Sequence, residues 1–342
     1  MSTPKFEFGV NINNREPLIA PDYSLADLLD ISQTVEELGF VSVWVGDSLF
    51  SKPRYEPLML LAAISQRTAT VKLGTGCLVT STRNPLYLAL EWATLDHISG
   101  GRTILGPCMG NPEEGVKREF AALGLDYSKR ADIFEEGLAV VRDLWTDGRV
   151  TFHGQHFDYD NISFYSGTEM APLQPLQTPP PMWIVSNPRL VVGKKAEDKV
   201  SRVISRAAHR IARYGDGWMT CCRARQPEEF REQLAQIHAA IAEIGRDPGE
   251  FTMSYQVTMN IADSRDKAWD SIGNYINQYY PELSKAMDLG EWGPVGTPDD
   301  VVDWIKTFAE AGVQHFICRF GAIDQIGQVE RFARDVLPAF TT

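Results

Sequence analysis

VSVWVGDSLFSKPRYEPLMLLAAISQRTATVKLGTGCLVTSTRNPLYLALEWATLDHISGGRTILGPCMG, residues 41–110, holds three short β-rich runs and two helical stretches in alternation. The runs are VSVWVGD (Val41–Asp47), VKLGTGCLVT (Val71–Thr80) and TILGPCMG (Thr103–Gly110). Several are apolar almost throughout, as strands buried on both faces are. Between them, helices are expected near Glu56–Thr68 and from Pro85 to about Ile98. Strand–helix–strand at this spacing implies right-handed βαβ units and a parallel sheet.

The rhythm extends in both directions. FEFGVNI (Phe6–Ile12) reads as a first strand, followed by a helix from about Ser24 to Leu38 with Leu25, Leu28, Leu29, Val35 and Leu38 on one side. Gly39 is placed to stop it, because glycine adopts positive φ without steric cost. Downstream, a helical region near Pro112–Trp145 precedes strand Pro181–Ser186 and a helix ending near Arg213. Strand Gly217–Cys222, a helix from Pro227, strand Thr252–Ile261, another helix and strand His315–Phe320 complete eight alternations. Eight units favour an α/β fold closed as a (β/α)8 TIM barrel over an open doubly wound sheet. Two insertions interrupt the series, after strands four and seven. Asp147–Pro180 begins RVTFHGQHFDYD, which alternates like a short hairpin, and ends QPLQTPPP; Tyr279–Pro294 reads as a loop. Long loops in compact barrels are usually lids or binding segments. Neither a repeat nor a linker divides the chain, so residues 1–342 are expected to form one domain.

Composition narrows the partners. Apolar residues make up 44% and charged residues 23% of the 342, with a formal net charge of −12. An acidic chain of ordinary globular composition is a poor match for nucleic acid or an anionic membrane. Cys77, Cys108, Cys221, Cys222 and Cys318 show no metal-ligand spacing, and vicinal Cys221–Cys222 is a poor disulfide candidate. Free thiols in a reducing compartment are the simplest reading. MSTPKFEFGV lacks a signal-peptide pattern, and no apolar run reaches bilayer-spanning length. A soluble cytoplasmic protein is expected.

In a barrel, chemistry collects at the carboxyl ends of the strands. There the sequence places Asp47-Ser48, Thr80-Ser81-Thr82-Arg83, Cys108-Met109-Gly110-Asn111 and Ser186-Asn187-Pro188-Arg189. Asp47 is suited to orient a cofactor or act as a base, and equally to serve as a helix cap or ion-pair partner. Cys108, in GPCMG, is either a thiol laid against a planar ring or a small buried hydrophobe. The turn after strand five, with Arg189, Lys194 and Lys195, offers donors suited to a phosphate, or else is a solvated basic loop. His97, His153, His156 and His209 read as surface or capping residues, and His315 lies at the end of its strand away from the expected site. HExxH, CxxC and GxSxG motifs are absent, and LGTGCL fits neither the Rossmann nor the Walker spacing.

Four segments, taken in order, resemble the luciferase-like flavin- or deazaflavin-dependent oxidoreductases: TLDHISGGR (Thr94–Arg102) leading into a GxCxG strand, PPPMWIVSNP (Pro179–Pro188), ARYGDGW (Ala212–Trp218) and VGTPDDVVDWIKTFAEAGVQHF (Val295–Phe316). They span almost the whole chain. The resemblance implies that Leu78, Val79 and Thr80 match the place where strand three carries a non-proline cis peptide or bulge under the cofactor ring. It implies that Cys108 sits beside the ring, Asn111 at its edge, Arg130 on its phosphate, and Val185, Ser186, Asn187 and Arg189 along the ring and ribityl phosphate. Two departures stand out. Asp47-Ser48 replaces the acid–histidine pair that many relatives use for proton transfer, and VSNP replaces a two-glycine turn. Leu190–Arg206 is also longer and more charged than usual.

By the same resemblance, the expected activity is a monooxygenase that takes reduced FMN from a separate flavin reductase and uses O2 to oxygenate a small organic substrate. In that scheme Cys108 shapes the reactive face, Asp47 and Ser48 form a polar relay, and Trp44, Phe50 and the Tyr279–Trp292 loop shield the substrate. The alternatives are hydride transfer with an 8-hydroxy-5-deazaflavin coenzyme, or a non-catalytic flavin-binding accessory subunit. A homodimer through helices two and three is implied by the resemblance alone.

Overall fold

The computed structural model describes residues 6–20, 23–164, 172–192, 199–221, 226–279 and 293–340. Eight parallel strands form the centre: β1 Glu7–Ile12, β2 Ser42–Val45, β3 Lys72–Thr75, β4 Thr103–Ile104, β5 Trp183–Val185, β6 Gly217–Cys221, β7 Thr252–Ile261 and β8 His315–Phe320. Pairing runs β4-β3-β2-β1-β8-β7-β6-β5. A parallel bridge between Leu105 and Met182 joins the two edges. The (β/α)8 barrel expected from the alternation is therefore the observed architecture.

Around it lie α1 Leu25–Glu37, α2 Pro57–Ser65, α3 Pro85–Ser99, α4 Glu114–Ala122, α5 Arg130–Asp147, α6 Ser205–Tyr214, α7 Pro227–Glu243, α8 Arg265–Tyr279, α9 Pro298–Glu310 and α10 Gln325–Asp335. Local chemistry sets many of their ends. Ser24 and Asp27 form a reciprocal capping box on α1, and Thr297 and Asp300 form one on α9. Pro57, Pro85, Pro227 and Pro298 each open a helix, where the missing N–H costs nothing. The helical region expected near 112–145 consists of two helices, α4 and α5, divided around Gly124 at φ 70°.

The insertion after strand four contains the expected hairpin, Arg149–His153 against Asp158–Ser163. A second hairpin, Arg189–Val192 against Lys199–Arg202, follows strand five and was not anticipated. In the charged tract Leu190–Arg206, residues 190–192 and 199–202 belong to this ribbon. Of the lid expected at Tyr279–Pro294, Tyr279 is the buried last residue of α8 and residues 280–292 lie outside the described residues.

The barrel interior is packed below its mouth. Trp44 of β2 stacks on Trp183 of β5 at 5.1 Å, within a cluster completed by Ile104, Met219 and Ile317. Glycines make the room: a Cβ on Gly74 would lie 2.2 Å from the Trp44 ring. Trp44 Nε1 donates to Ser42 Oγ at 2.7 Å, and Ser42 Oγ lies 2.8 Å from His315 Nε2. Trp44 is thus a fully buried filler and not the substrate shield expected of it. Phe50, the other proposed shield, is exposed and absent from the cavity lining.

Candidate active site

Above the packed layer, the carboxyl ends of the strands open into a cavity of about 690 Å3. That size falls within the range of small-molecule and cofactor pockets. Asp47, Ser48, Val79, Cys108, Asn111, Arg130, Val185, Ser186 and Asn187 all line it, so most of the residues marked in the sequence converge.

Strand three carries the non-proline cis peptide, but between Gly76 and Cys77, before Leu78. Beyond it, Leu78–Val79 pairs with Pro107–Cys108 in a short parallel ladder. Alternation on that ladder separates the assigned residues. Val79 and Cys108 line the cavity, whereas Leu78 points into the main core and is fully buried. Thr80 begins a 3-10 turn and does not line the cavity. Of the three residues matched to this place, Val79 alone lines the cavity. The side chain of Arg189, with Lys194 and Lys195, lies outside the described residues.

Cys77 was counted only as a free thiol, yet it lines the cavity and its S–H donates to Cys108 Sγ at 2.7 Å. That bond and burial push its pKa well above the usual thiol range. The signal was present as two similar four-residue runs, GTGC and LGPC, on adjacent strands.

Asp47 and Ser48 turn in different directions. Asp47 Oδ2 accepts the Val79 N–H at 2.9 Å and Oδ1 accepts from Arg83 Nη2 at 3.2 Å. Burial raises its pKa, and the Arg83 charge holds that rise back. Ser48 Oγ donates to Glu119 Oε1 at 3.1 Å and accepts the Lys52 N–H at 2.9 Å. Each residue is committed to its own partners. Glu119, buried on α4, also accepts the N–H groups of Phe50 and Ser51, fixing the loop after β2. The six histidines are all described, and none lines the cavity.

Arg130 opens α5 at the cavity, stacked 4.0 Å over the Tyr127 ring and donating to Tyr127 O at 3.1 Å. Its Nε is buried without a partner. An orphaned guanidinium N–H in a cavity that Ser186 and Asn187 also line fits a phosphate, which would satisfy it with a charge-assisted hydrogen bond. Arg210 adds a second cation there, ion-paired with Glu135 at 2.7 Å. Val79, Val185 and the two thiols offer a soft surface for a planar ring. The residues fit a ring-and-phosphate coenzyme. The sequence reading missed Arg54, Gln256 and Arg319, which also line the cavity. Among the described residues, no group of histidine, cysteine and carboxylate is arranged to hold a metal, and no helix is long and apolar enough to cross a membrane.

The model of a family described as luciferase-like monooxygenase matches residues 6–196 and 203–315. An F420-dependent glucose-6-phosphate dehydrogenase from Amycolatopsis mediterranei is 25% identical, over 93% of this chain and 96% of that protein. A solved F420-dependent secondary alcohol dehydrogenase in complex with an F420–acetone adduct superposes with a TM-score of 0.79 at 20% identity, over 99% and 100% of the two chains. A monooxygenase from Streptomyces bottropensis superposes with a TM-score of 0.77 at 23% identity, over 98% and 100%.

Proposed function

Because the chain belongs to the luciferase-like monooxygenase family and is an oxidoreductase, we propose that it is a dehydrogenase or reductase using the 8-hydroxy-5-deazaflavin coenzyme F420. This reading replaces the reduced-FMN monooxygenase favoured at the sequence level, together with its O2 and flavin reductase. What carries it is the near full-length alignment with a curated F420-dependent dehydrogenase. The accessory-subunit alternative has no comparable support.

The bound deazaflavin supplies a two-electron hydride acceptor or donor. The chain supplies the rest. Arg130, Ser186 and Asn187 hold the phosphate, and Val79, Val185, Cys77 and Cys108 line the ring's bed. Asp47 takes the proton of a substrate hydroxyl in one direction and returns it in the other. Burial moves Asp47 upward from the ordinary carboxylate range, toward the pH at which such exchange is efficient. The Val79 N–H and Arg83 fix its orientation, so it stands in for the histidine that many relatives carry after strand two.

The test is anaerobic titration of the purified protein with oxidised F420 and with FMN, followed by a panel of small alcohols. Micromolar F420 binding and alcohol-dependent loss of its visible absorbance are expected. Tighter binding of reduced FMN, with substrate oxygenation that needs O2, would overturn the proposal.

A further inference from the structure

Two amides stand unused at the floor of the cavity. Asn11 lies on β1 and Gln256 on β7, the strands on either side of β8. Asn11 shares a strand face with Gly9, where a Cβ would stand 2.9 Å from Trp44 Nε1, so both face the barrel interior. Gln256 lines the cavity itself. Only 5% of Asn11 and 9% of Gln256 is exposed. Among the described residues, neither side-chain amide has a hydrogen-bond partner.

The two amides converge on one spot. A Cβ built on Gly76 would stand 3.3 Å from Asn11 Nδ2, 3.5 Å from Gln256 Oε1 and 3.7 Å from Trp44 Cβ. Glycine leaves that spot open, with a donor on one side and an acceptor on the other. Gly76 lines the cavity immediately before Cys77, which belongs to the ring's bed. That bed is carried by the ends of β3, β4 and β5, and the amides face it from β1 and β7 across the barrel. With the coenzyme ring on its bed, the space in front of the amides is left to the substrate.

Leaving two nearly buried amides unbonded costs stability, because each gives up the hydrogen bonds it makes in water. The packed layer below has no use for them: Trp44, Ser42 and His315 satisfy one another. A hydroxyl group answers both amides at once, accepting from Asn11 Nδ2 and donating to Gln256 Oε1, whereas a carbonyl only accepts. Asp47 is a separate polar station in the same cavity, held by the Val79 N–H and Arg83.

We propose that Asn11 and Gln256 form a substrate subsite for a hydroxyl group that does not react, so that the substrate is a polyhydroxy compound. One hydroxyl meets Asp47 and the ring, and another bridges the two amides. The proposal rests on the deazaflavin reading for the reacting hydroxyl and for the side of the cavity that the ring takes.

Glycerol is the probe and 2-propanol the single-hydroxyl control, each titrated into F420-loaded protein and followed by ligand-observed proton NMR. Glycerol should saturate and bind about tenfold more tightly than 2-propanol. Asn11→Leu and Gln256→Met keep roughly the shape of each side chain and remove its hydrogen bonding. Each should weaken glycerol about 5- to 10-fold, leaving 2-propanol and F420 affinity within about twofold. The melting temperature of the coenzyme-free variants should hold or rise, since an apolar group replaces an unbonded buried amide. Equal binding of the two alcohols, or glycerol binding that survives both substitutions, overturns the proposal. A melting temperature lowered in both variants does so too, because the amides would then serve the fold. So does a loss of F420 affinity in either, because the amides would then hold the edge of the ring. If F420 fails to bind the wild-type protein, the titration is repeated without coenzyme. Glycerol binding that still depends on Asn11 and Gln256 there means that the coenzyme reading falls and the subsite stands; without that dependence both fall.

Discussion

The barrel's packed interior and its open mouth are made by the same eight strands, a few residues apart, and they obey opposite rules. Below, Trp44 and Trp183 stack in a space opened by Gly74, and the polar atoms of Trp44, Ser42 and His315 satisfy one another. Above, Arg130 at the cavity keeps its buried Nε without a partner. Buried polar groups are ordinarily paired, and leaving them unpaired costs stability. The contrast locates the function: the lower layer is closed for folding, and the upper layer is left incomplete for something that binds.

The largest predicted effect lies in the lower layer. Trp44→Ala should destabilise the protein by about 4–5 kcal/mol, near the top of the range for aromatic truncation, because a closed barrel cannot collapse into the vacated space. Denaturant unfolding measures it. A loss below about 1 kcal/mol would mean that the interior is not the rigid layer described.

Glu16→Gln should act in the opposite sense. Burial of Glu16, in the turn after β1, raises its pKa to about 8 in the folded protein, against a reference of 4.5. Below pH 4.5 both states hold the proton and the site is neutral to stability. Between 4.5 and 8 the unfolded chain releases it and the folded protein does not, so stability falls as pH rises. Glutamine removes that slope. The variant should gain roughly 3 kcal/mol more over wild type at pH 8 than at pH 5, an order-of-magnitude figure from the shift. Equal gains at both pH values would show that Glu16 does not carry the buried proton.

Much of this division was legible in the sequence, and its limits are physical. Alternating apolar runs and helices fixed eight strands and their order, because burial imposes the period. Position at a strand's end identified Asp47, Cys108 and Asn187. Which way a residue faces on a two-residue ladder was not legible: Leu78 and Val79 are both apolar neighbours, and only the register with Pro107–Cys108 sends one to the core and the other to the cavity. Trp44 was misread because its environment depends on Gly74 and Trp183, distant in sequence. Asn11 and Gln256 carry no local motif. They become a pair only when the sheet brings β1 and β7 to either side of β8.

Arg130→Ala sharpens the contrast at the mouth. It removes a guanidinium whose buried Nε lacks a partner, so folding should change little while coenzyme binding weakens by roughly 1.5–3 kcal/mol. The check is the F420 dissociation constant beside a thermal melt. A lowered melting temperature with unchanged affinity would return Arg130 to a structural role over Tyr127.

The smallest effect tests the paired thiols, where folded packing and an open site meet. The Cys77 S–H donates to Cys108 Sγ, and that bond favours the protonated form of Cys77. Cys108→Ala removes the acceptor, so the Cys77 pKa should fall and its thiolate fraction rise. The volume lost is one sulfur, and the cost to stability should stay near 1 kcal/mol. Thiolate, and not thiol, attacks a disulfide reagent. The rate at which Cys77 reacts with an aromatic disulfide at pH 8 should therefore increase in Cys108→Ala, in a background where Cys221 and Cys222 are serine. Burial also raises the Cys77 pKa and remains after the substitution, so the increase should be severalfold and fall short of a fully exposed thiol. An unchanged rate would mean that burial alone governs Cys77 and that the sulfur–sulfur contact has no electrostatic consequence for the cavity.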